Sequence, residues 1–186
     1  MRDGFVKVAA GTPEIRVADC AYNAKQCIDL IRQGAEQGVK VLCLPELCLT
    51  GYTCADLFLQ DTLLSGAEEA LEEVRKASEE VDMLIAVGLP VRNKWDNKLY
   101  NCAAILHGGE ILGLVPKTYI PNYGEFYEQR WFASRAGIAE TIDLCGQSVC
   151  MTRGTILLEF LIEAFTISLI GSMVGVGAGL FVVWFG

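Results

Sequence analysis

The chain has 186 residues, a formal net charge of −8 and hydrophobic residues at 52% of positions. This length is enough for one hydrophobic core. The acidic balance argues against a nucleic-acid partner, because affinity for phosphate comes mainly from Lys and Arg. The eight cysteines include no CxxC pair and the only histidine is His107, so no metal site is predicted. Thiols scattered in this way, without a signal-peptide pattern, are typical of a cytoplasmic protein.

The first part of the chain has the pattern of a strand–helix–strand unit. Apolar runs at residues 5–10 and 39–44 predict two strands, and an approximate 3.6-residue apolar period at residues 17–36 predicts a helix between them. Within that helix, Asp19 and Asn23 are assigned to polar positions. A unit of this kind predicts an α/β fold with right-handed crossovers.

Helices and strands continue to alternate after this unit. The next predicted elements are a short helix, a longer helix with a solvated row of glutamates, a buried strand and two hairpin strands, at residues 54–61, 65–81, 83–89, 101–107 and 110–116 in turn. The hairpin is predicted from Gly108-Gly109 between its two strands, because tight primed turns need positive φ angles.

Two of the predicted strands end in the same way, with an apolar run, a proline and one charged side chain. The first ends in Pro45 and Glu46, and the second in Pro116 and Lys117. Strand ends in α/β sheets commonly line a cleft, so this carboxylate and this ammonium group are candidates for one active site. On the pattern alone, Glu46 is equally well a solvated residue at the start of a loop.

Five segments carry a family resemblance. They are LCLPELCLTGY, VGLPV, KLYNCAAIL, PKTYIPNYGEFYEQRWF and IDLCGQSV, which begin at residues 42, 87, 98, 116 and 142. Together they resemble the carbon–nitrogen hydrolase (nitrilase) superfamily, and within it the glutaminase domain of glutamine-dependent NAD synthetases. The resemblance implies a four-layer αββα sandwich, which residues 1–149 would form incompletely. It also implies a homo-oligomer, since pairs of these domains often pack sheet against sheet.

The same resemblance implies roles for individual residues. The family uses a Glu–Lys–Cys triad, in which Glu46 matches the general base and Lys117 matches the lysine that stabilises the oxyanion. Tyr123 matches a position lining the glutamine site, and either Glu125 or Glu128 matches an additional glutamate beside the triad. The implied substrate is glutamine, whose amide is hydrolysed to ammonia without a cofactor. ATP and deaminido-NAD belong to the family's separate synthetase domain.

The sequence departs from the family at the nucleophile. In the family, the reactive cysteine follows the lysine by several tens of residues in a context such as EICED, which this sequence does not contain. Cys145 lies in LCGQSV, a segment that precedes that strand in the family, and Cys150 lies where the resemblance stops. We therefore expect a truncated glutaminase domain that does not hydrolyse glutamine. Another carbon–nitrogen hydrolase, such as an amidase or nitrilase, is the alternative enzyme.

The tail, residues 150–186, differs in character from the domain predicted for residues 1–149. Residues 164–186 contain no charged residue, a run long enough to cross a bilayer as a helix. Gly171, Gly175 and Gly179 recur every four residues, as they do in packed membrane helices. The pattern predicts one apolar helix of transmembrane length, with membrane contact through residues 156–185. A buried soluble helix is the alternative.

The tail also carries a resemblance of its own. ILLEFLIEAFTISLIGSMVGVGAG, from residue 156, is similar to a transmembrane helix of macrolide-export or lipoprotein-release ABC transporter permeases. Beside the hydrolase-like segments, this similarity implies a junction of two unrelated families near residues 149–152. A third hypothesis is therefore a non-enzymatic fusion fragment, with a cytoplasmic hydrolase part tethered to a membrane through its tail.

Overall fold

The structure, a computed structural model, describes residues 5–134, 140–152 and 179–185. These residues form two α-helices, α1 (Cys20–Glu36) and α2 (Asp61–Ser78), and two short 3₁₀ helices, Ala55–Leu59 and Glu128–Arg130. They also form eight strands: β1 (Val6–Thr12), β2 (Val41–Cys43), β3 (Leu84–Arg92), β4 (Leu99–His107), β5 (Glu110–Pro116), β6 (Glu140–Leu144), β7 (Gln147–Met151) and β8 (Gly179–Phe185). The elements predicted within residues 5–116 are all present, with boundaries shifted by a few residues and the first short helix being 3₁₀.

The strands form one mixed sheet in the order β6-β7-β5-β4-β3-β2-β1-β8. Strand β2 runs parallel to both β1 and β3, as expected when α1 and α2 provide the crossovers. Strands β4 and β5 form the predicted hairpin, and its turn residues Gly108 and Gly109 have φ angles of 55° and 82°. The sheet therefore brings the end of β2, the start of β4 and the end of β5 to the same edge.

Both faces of the sheet are apolar. On β4, Cys102 and Ala104 belong to the large core that includes both helices, whereas Ala103 and Ile105 belong to a second cluster on the opposite face. The α/β class is confirmed, since a mixed sheet carries a helical layer on one face. The second sheet and second helical layer of the expected sandwich are not among the described residues.

The predicted apolar helix of the tail is not supported. Its last residues, Gly179–Phe185, form β8, which pairs antiparallel with β1 so that Val8 lies opposite Val183. An edge strand offers unpaired backbone groups, and a segment rich in Val, Phe and Trp is well suited to pair with them. The rest of the predicted helix, residues 156–178, lies outside the described residues. In the part of the chain that the structure describes, no helix is both long and apolar enough to span a bilayer.

Asn23 is not at a polar surface position of α1, as the periodicity predicted, but is fully buried. Its side-chain amide donates to the carbonyls of Arg16 (2.9 Å) and Leu49 (3.2 Å), and its Oδ1 accepts from the Arg16 N–H (2.8 Å). These three bonds compensate the desolvation of the amide. They also attach the loop after β2 to α1.

Candidate active site

Glu46 lies on a tightly held turn immediately after β2. The Leu44 N–H donates to Ala86 O (2.9 Å) and the Leu49 N–H to Gly88 O (3.2 Å), so both flanks of the turn are anchored on β3. The Glu46 side chain is 5% exposed. The interpretation of Glu46 as a solvated loop residue is therefore wrong, because its carboxylate is directed into the protein.

Lys117 meets Glu46 at the end of the neighbouring hairpin. Its backbone N–H donates to Asn101 O (2.8 Å), which fixes the point where β5 ends. Its ammonium group donates to Oε1 of Glu46 at 2.6 Å, and the lysine side chain is 19% exposed. The two strand-end residues singled out from the sequence thus lie in direct contact, with the lysine side chain partly exposed.

Glu128 is the second carboxylate beside Lys117. Its two oxygens each lie 3.1 Å from the Lys117 ammonium, and its side chain is 4% exposed. Its backbone N–H donates to Pro121 O (3.2 Å), which folds the segment back over the lysine. Glu125, the other candidate for the additional glutamate, is exposed. Of the two candidates, Glu128 is thus the one that contacts Lys117, which the sequence left open.

Tyr52 completes this charged network. Its hydroxyl donates to Oε1 of Glu128 at 2.7 Å. Burial and, to a smaller degree, this hydrogen bond raise the pKa of the Tyr52 phenol well above its ordinary value. The phenol consequently remains protonated and acts as a donor to Glu128 at neutral pH. In the sequence, Tyr52 stands out only as the last residue of the segment LCLPELCLTGY.

Asn101 is the second residue that the sequence analysis did not single out. Its side-chain amide donates to Oε1 of Glu46. A signal was present in the sequence, because Asn101 is the one amide in the otherwise apolar run LYNCAAIL of β4. Such a residue in a buried strand needs a polar partner, but its identity depends on strand pairing.

Tyr123, the predicted glutamine-lining residue, lies at the surface with 70% of its area exposed. Its ring packs edge-on against Phe126, with centroids 5.7 Å apart. Within the described residues, it makes no hydrogen bond to Glu46, Lys117 or Glu128. Its role in binding glutamine stays a prediction.

An exposed carboxylate links the two loops of the site. Asp56, at the start of the first 3₁₀ helix, accepts from Arg130 Nε (2.7 Å), Arg130 Nη2 (2.8 Å) and Trp131 Nε1 (2.8 Å). The bonds from Arg130, and then that from Trp131, hold the pKa of Asp56 well below its usual value. Since Arg130 and Trp131 follow Glu128 by two and three residues, this contact anchors the segment that carries Glu128.

The two late cysteines lie on the β6–β7 hairpin. Cys145, in its turn, donates through Sγ to Glu68 O (3.5 Å), which places it against α2. Burial, with a smaller effect of Glu68, raises the pKa of the Cys145 thiol to about 12. Cys150 lies on β7 and is exposed. Neither thiol is hydrogen-bonded to Glu46 or Lys117 within the described residues.

In the part of the chain that the structure describes, no group of three or more His, Cys, Asp or Glu side chains is suited to holding a metal ion. A cavity of about 510 Å³ lies between the starts of α1 and α2, lined in part by Asp19, Cys20, Leu63 and Glu69. Because neither Glu46 nor Lys117 lines it, this cavity is separate from the candidate active site.

Comparison with known proteins identifies the family. The carbon–nitrogen hydrolase family model matches residues 7–159, which include Glu46, Lys117 and Glu128. The chain belongs to the carbon–nitrogen hydrolase family. This assignment confirms the resemblance of the hydrolase-like segments, whereas the permease resemblance of the tail has no support.

The most informative relatives of this carbon–nitrogen hydrolase chain are glutamine-dependent NAD(+) synthetases. The Mycobacterium tuberculosis protein is 40% identical over 155 residues, which are 83% of this chain and 22% of that protein. The Aquifex aeolicus protein is 35% identical over 116 residues, 62% of this chain and 20% of that protein. The chain is thus homologous to their glutaminase domain and spans about a fifth of their length.

Solved structures agree with this relationship. A glutamine-dependent NAD(+) synthetase from Cytophaga hutchinsonii superimposes with a TM-score of 0.73 and 30% identity, covering 80% of this chain and 25% of that one. An amidase from Nesterenkonia sp. gives a TM-score of 0.62 at 20% identity, covering 81% of this chain and 56% of that one. At that identity, the amidase shows a shared fold alone.

Proposed function

We propose that this chain carries the base and the oxyanion-binding cation of a glutaminase site, which releases ammonia from glutamine for a glutamine-dependent NAD synthetase. The observation that carries the proposal is the buried network in which one ammonium group, that of Lys117, lies between Glu46 and Glu128. Burying two carboxylates beside a single ammonium group costs free energy of desolvation, which one cation compensates only in part. This cost favours a functional role for the three residues. The homology to NAD synthetases supplies the substrate class.

The proposed chemistry assigns one task to each charged group. Glu46 takes the proton of a cysteine thiol that attacks the glutamine amide, and gives this proton to the departing ammonia. The regenerated carboxylate then takes a proton from the water that hydrolyses the thioester, and returns it to the cysteine sulfur as glutamate leaves. Lys117 stabilises the negative oxygen of the tetrahedral intermediates. Glu128 holds the lysine against Glu46 and balances its charge. Departure of ammonia completes the first half of the reaction.

We further propose that neither Cys145 nor Cys150 is the nucleophile and that the 186-residue polypeptide alone does not hydrolyse glutamine. The Cys145 thiol is hydrogen-bonded to the backbone carbonyl of Glu68 in α2. Its raised pKa disfavours the thiolate that attack requires. The test is ammonia release from glutamine by the purified polypeptide, expected to equal that of the buffer. Release that disappears in Cys145→Ala or Cys150→Ala would overturn this proposal.

Recognition of glutamine is tested separately by calorimetric titration and by Tyr and Trp fluorescence. We expect glutamine to give a signal that acetamide and simple nitriles do not give, since these lack the amino-acid group. Lys117→Met should abolish it, whereas Lys40→Met should not, because Lys40 pairs with exposed Asp82. Equal signals with acetamide would favour the second candidate, an amidase. Glutamine binding that persists in Lys117→Met would contradict the proposed site.

A further inference from the structure

Asn101 is a polar residue in an apolar environment. It is 3% exposed and lies on β4, opposite Pro90 of β3. Ala103 and Ile105 follow Asn101 on the same face of β4, and they belong to the apolar cluster on the sheet face opposite the helices. Burial of an amide costs free energy unless its donors and acceptors find partners. An asparagine at this position therefore requires a specific polar contact.

The polar partner of Asn101 is Glu46, the candidate base. Asn101 Nδ2 donates to Oε1 of Glu46, and the orientation of the amide follows because a carboxylate offers acceptors alone. The backbone of the same residue holds the other member of the pair, since Asn101 O accepts from the Lys117 N–H at 2.8 Å. One residue thus joins the turn that carries Glu46 to the end of the strand that precedes Lys117.

The two oxygens of Glu46 are consequently not equivalent. Oε1 accepts from both Asn101 Nδ2 and Lys117 Nζ. Oε2 has no donor within the described residues. We infer that Asn101 is a positioning residue that holds Oε1 of Glu46 and thereby reserves Oε2 for proton transfer. The inference rests on the proposed role of Glu46 as the general base.

The physical reason is the freedom of the terminal torsion of glutamate. A carboxylate turns easily about this bond, which has a broad, two-fold preference. Two donors on one oxygen remove that freedom, and a base works well only when it is held within narrow limits of its productive geometry. Lys117 alone is a weaker restraint, because its ammonium is also shared with Glu128.

The first experiment observes this hydrogen bond by NMR in the ¹⁵N-labelled 186-residue chain without glutamine. The Asn101 side-chain proton that binds the carboxylate should lie downfield of its geminal partner. In Glu46→Gln, which presents a neutral acceptor, this separation should shrink. Unchanged proton positions in Glu46→Gln would overturn the inference. Assignment comes from loss of the signals in Asn101→Leu, or by sequential assignment if that variant does not fold.

The second experiment follows the carboxyl carbons of ¹³C-labelled glutamates. Asn101→Leu keeps the volume and removes the donor, so the Glu46 signal should move. The matched control is Asn93→Leu, because Asn93 is also buried and donates to Glu140 (2.8 Å). It should move the Glu140 signal and leave that of Glu46 in place. Restoration of the Glu46 signal by Asn101→His, a donor of different shape, would support positioning by hydrogen bonding.

A Glu46 signal unmoved in folded Asn101→Leu, or moved equally in Asn93→Leu, would overturn the inference. Both experiments are performed without glutamine, so they are independent of the test of the proposed function. If glutamine fails to bind while the Asn101 signals behave as expected, the proposed function falls and the contact between Asn101 and Glu46 stands.

Discussion

Tyr52 donates a 2.7 Å hydrogen bond to Glu128, a residue 76 positions further along the chain. Because Glu128 also binds Lys117, this bond joins the loop after β2 to the segment after β5. The candidate active site is therefore held together by contacts between loops that are distant in sequence. Several of these contacts can be tested one at a time.

Tyr52→Phe removes this donor and keeps the ring. We expect a loss of about 1.5–3 kcal/mol in the free energy of unfolding, because the acceptor is a buried, charged carboxylate. Urea denaturation at neutral pH measures it. Tyr119→Phe is the matched control, since Tyr119 is 82% exposed and its hydroxyl should contribute little. Equal losses in the two variants would contradict a structural role of the Tyr52 hydroxyl.

The stabilities of the natural protein and of Tyr52→Phe should depend differently on alkaline pH. The pKa of Tyr52 is raised in the folded protein, so the folded state keeps the phenol proton more firmly than the unfolded chain does. The resulting stability is complete below the ordinary tyrosine pKa of about 10 and decreases as pH rises above it. The stability difference between the natural protein and Tyr52→Phe should thus narrow above about pH 10. A stability difference that stays constant up to the highest pH at which unfolding is reversible would contradict the raised pKa of Tyr52.

Lys117→Met should destabilise the protein strongly. It leaves Glu46 and Glu128 buried side by side without their cation, and loss of one partner from a buried pair typically costs about 3–5 kcal/mol. Lys40→Met, which breaks the exposed pair with Asp82, should cost less than about 1 kcal/mol. Urea denaturation compares the two. Adding Glu46→Gln to Lys117→Met should recover part of the loss, and no recovery would contradict charge as its cause.

Asp56→Asn should loosen the segment that carries Glu128. The lowered pKa of Asp56, caused first by Arg130 and then by Trp131, means that its contact stabilises the fold above the ordinary aspartate pKa of about 3.9 and is lost as pH falls. Trp131 fluorescence should therefore change on acidification in the natural protein and much less in Asp56→Asn. Asp82→Asn is the control, because Asp82 has a lowered pKa through Lys40 instead. An acid response retained in Asp56→Asn would exclude this cause.

The two late cysteines should react with thiol reagents at very different rates. The pKa of Cys145 is raised to about 12, which lowers its thiolate fraction at neutral pH by roughly three orders of magnitude. Cys150 is exposed on β7. Labelling with an aromatic disulfide should show a fast phase that disappears in Cys150→Ala and persists in Cys145→Ala. A fast phase that depends on Cys145 would contradict the raised pKa of this half-buried thiol.

Local patterns in the sequence were sufficient for the elements of the α/β fold up to β5. The Gly108-Gly109 hairpin and the helix at residues 65–81 were predicted correctly, because turn chemistry and apolar periodicity act within a few residues. The same reasoning placed Asn23 at a polar position and the last seven residues of the described chain in a helix. Both were wrong, since a buried amide and an edge strand are decided by partners that periodicity does not contain.

The sequence by itself determined that Glu46 and Lys117 occur at strand ends after proline, and that the chain is related to carbon–nitrogen hydrolases. Only the tertiary structure decided that Glu128 rather than Glu125 binds the lysine, and that Tyr52 and Asn101 hold the two carboxylates. The reason is physical. Each of these hydrogen bonds joins residues that become neighbours through strand pairing and loop packing, whereas sequence patterns report the environment of one element at a time.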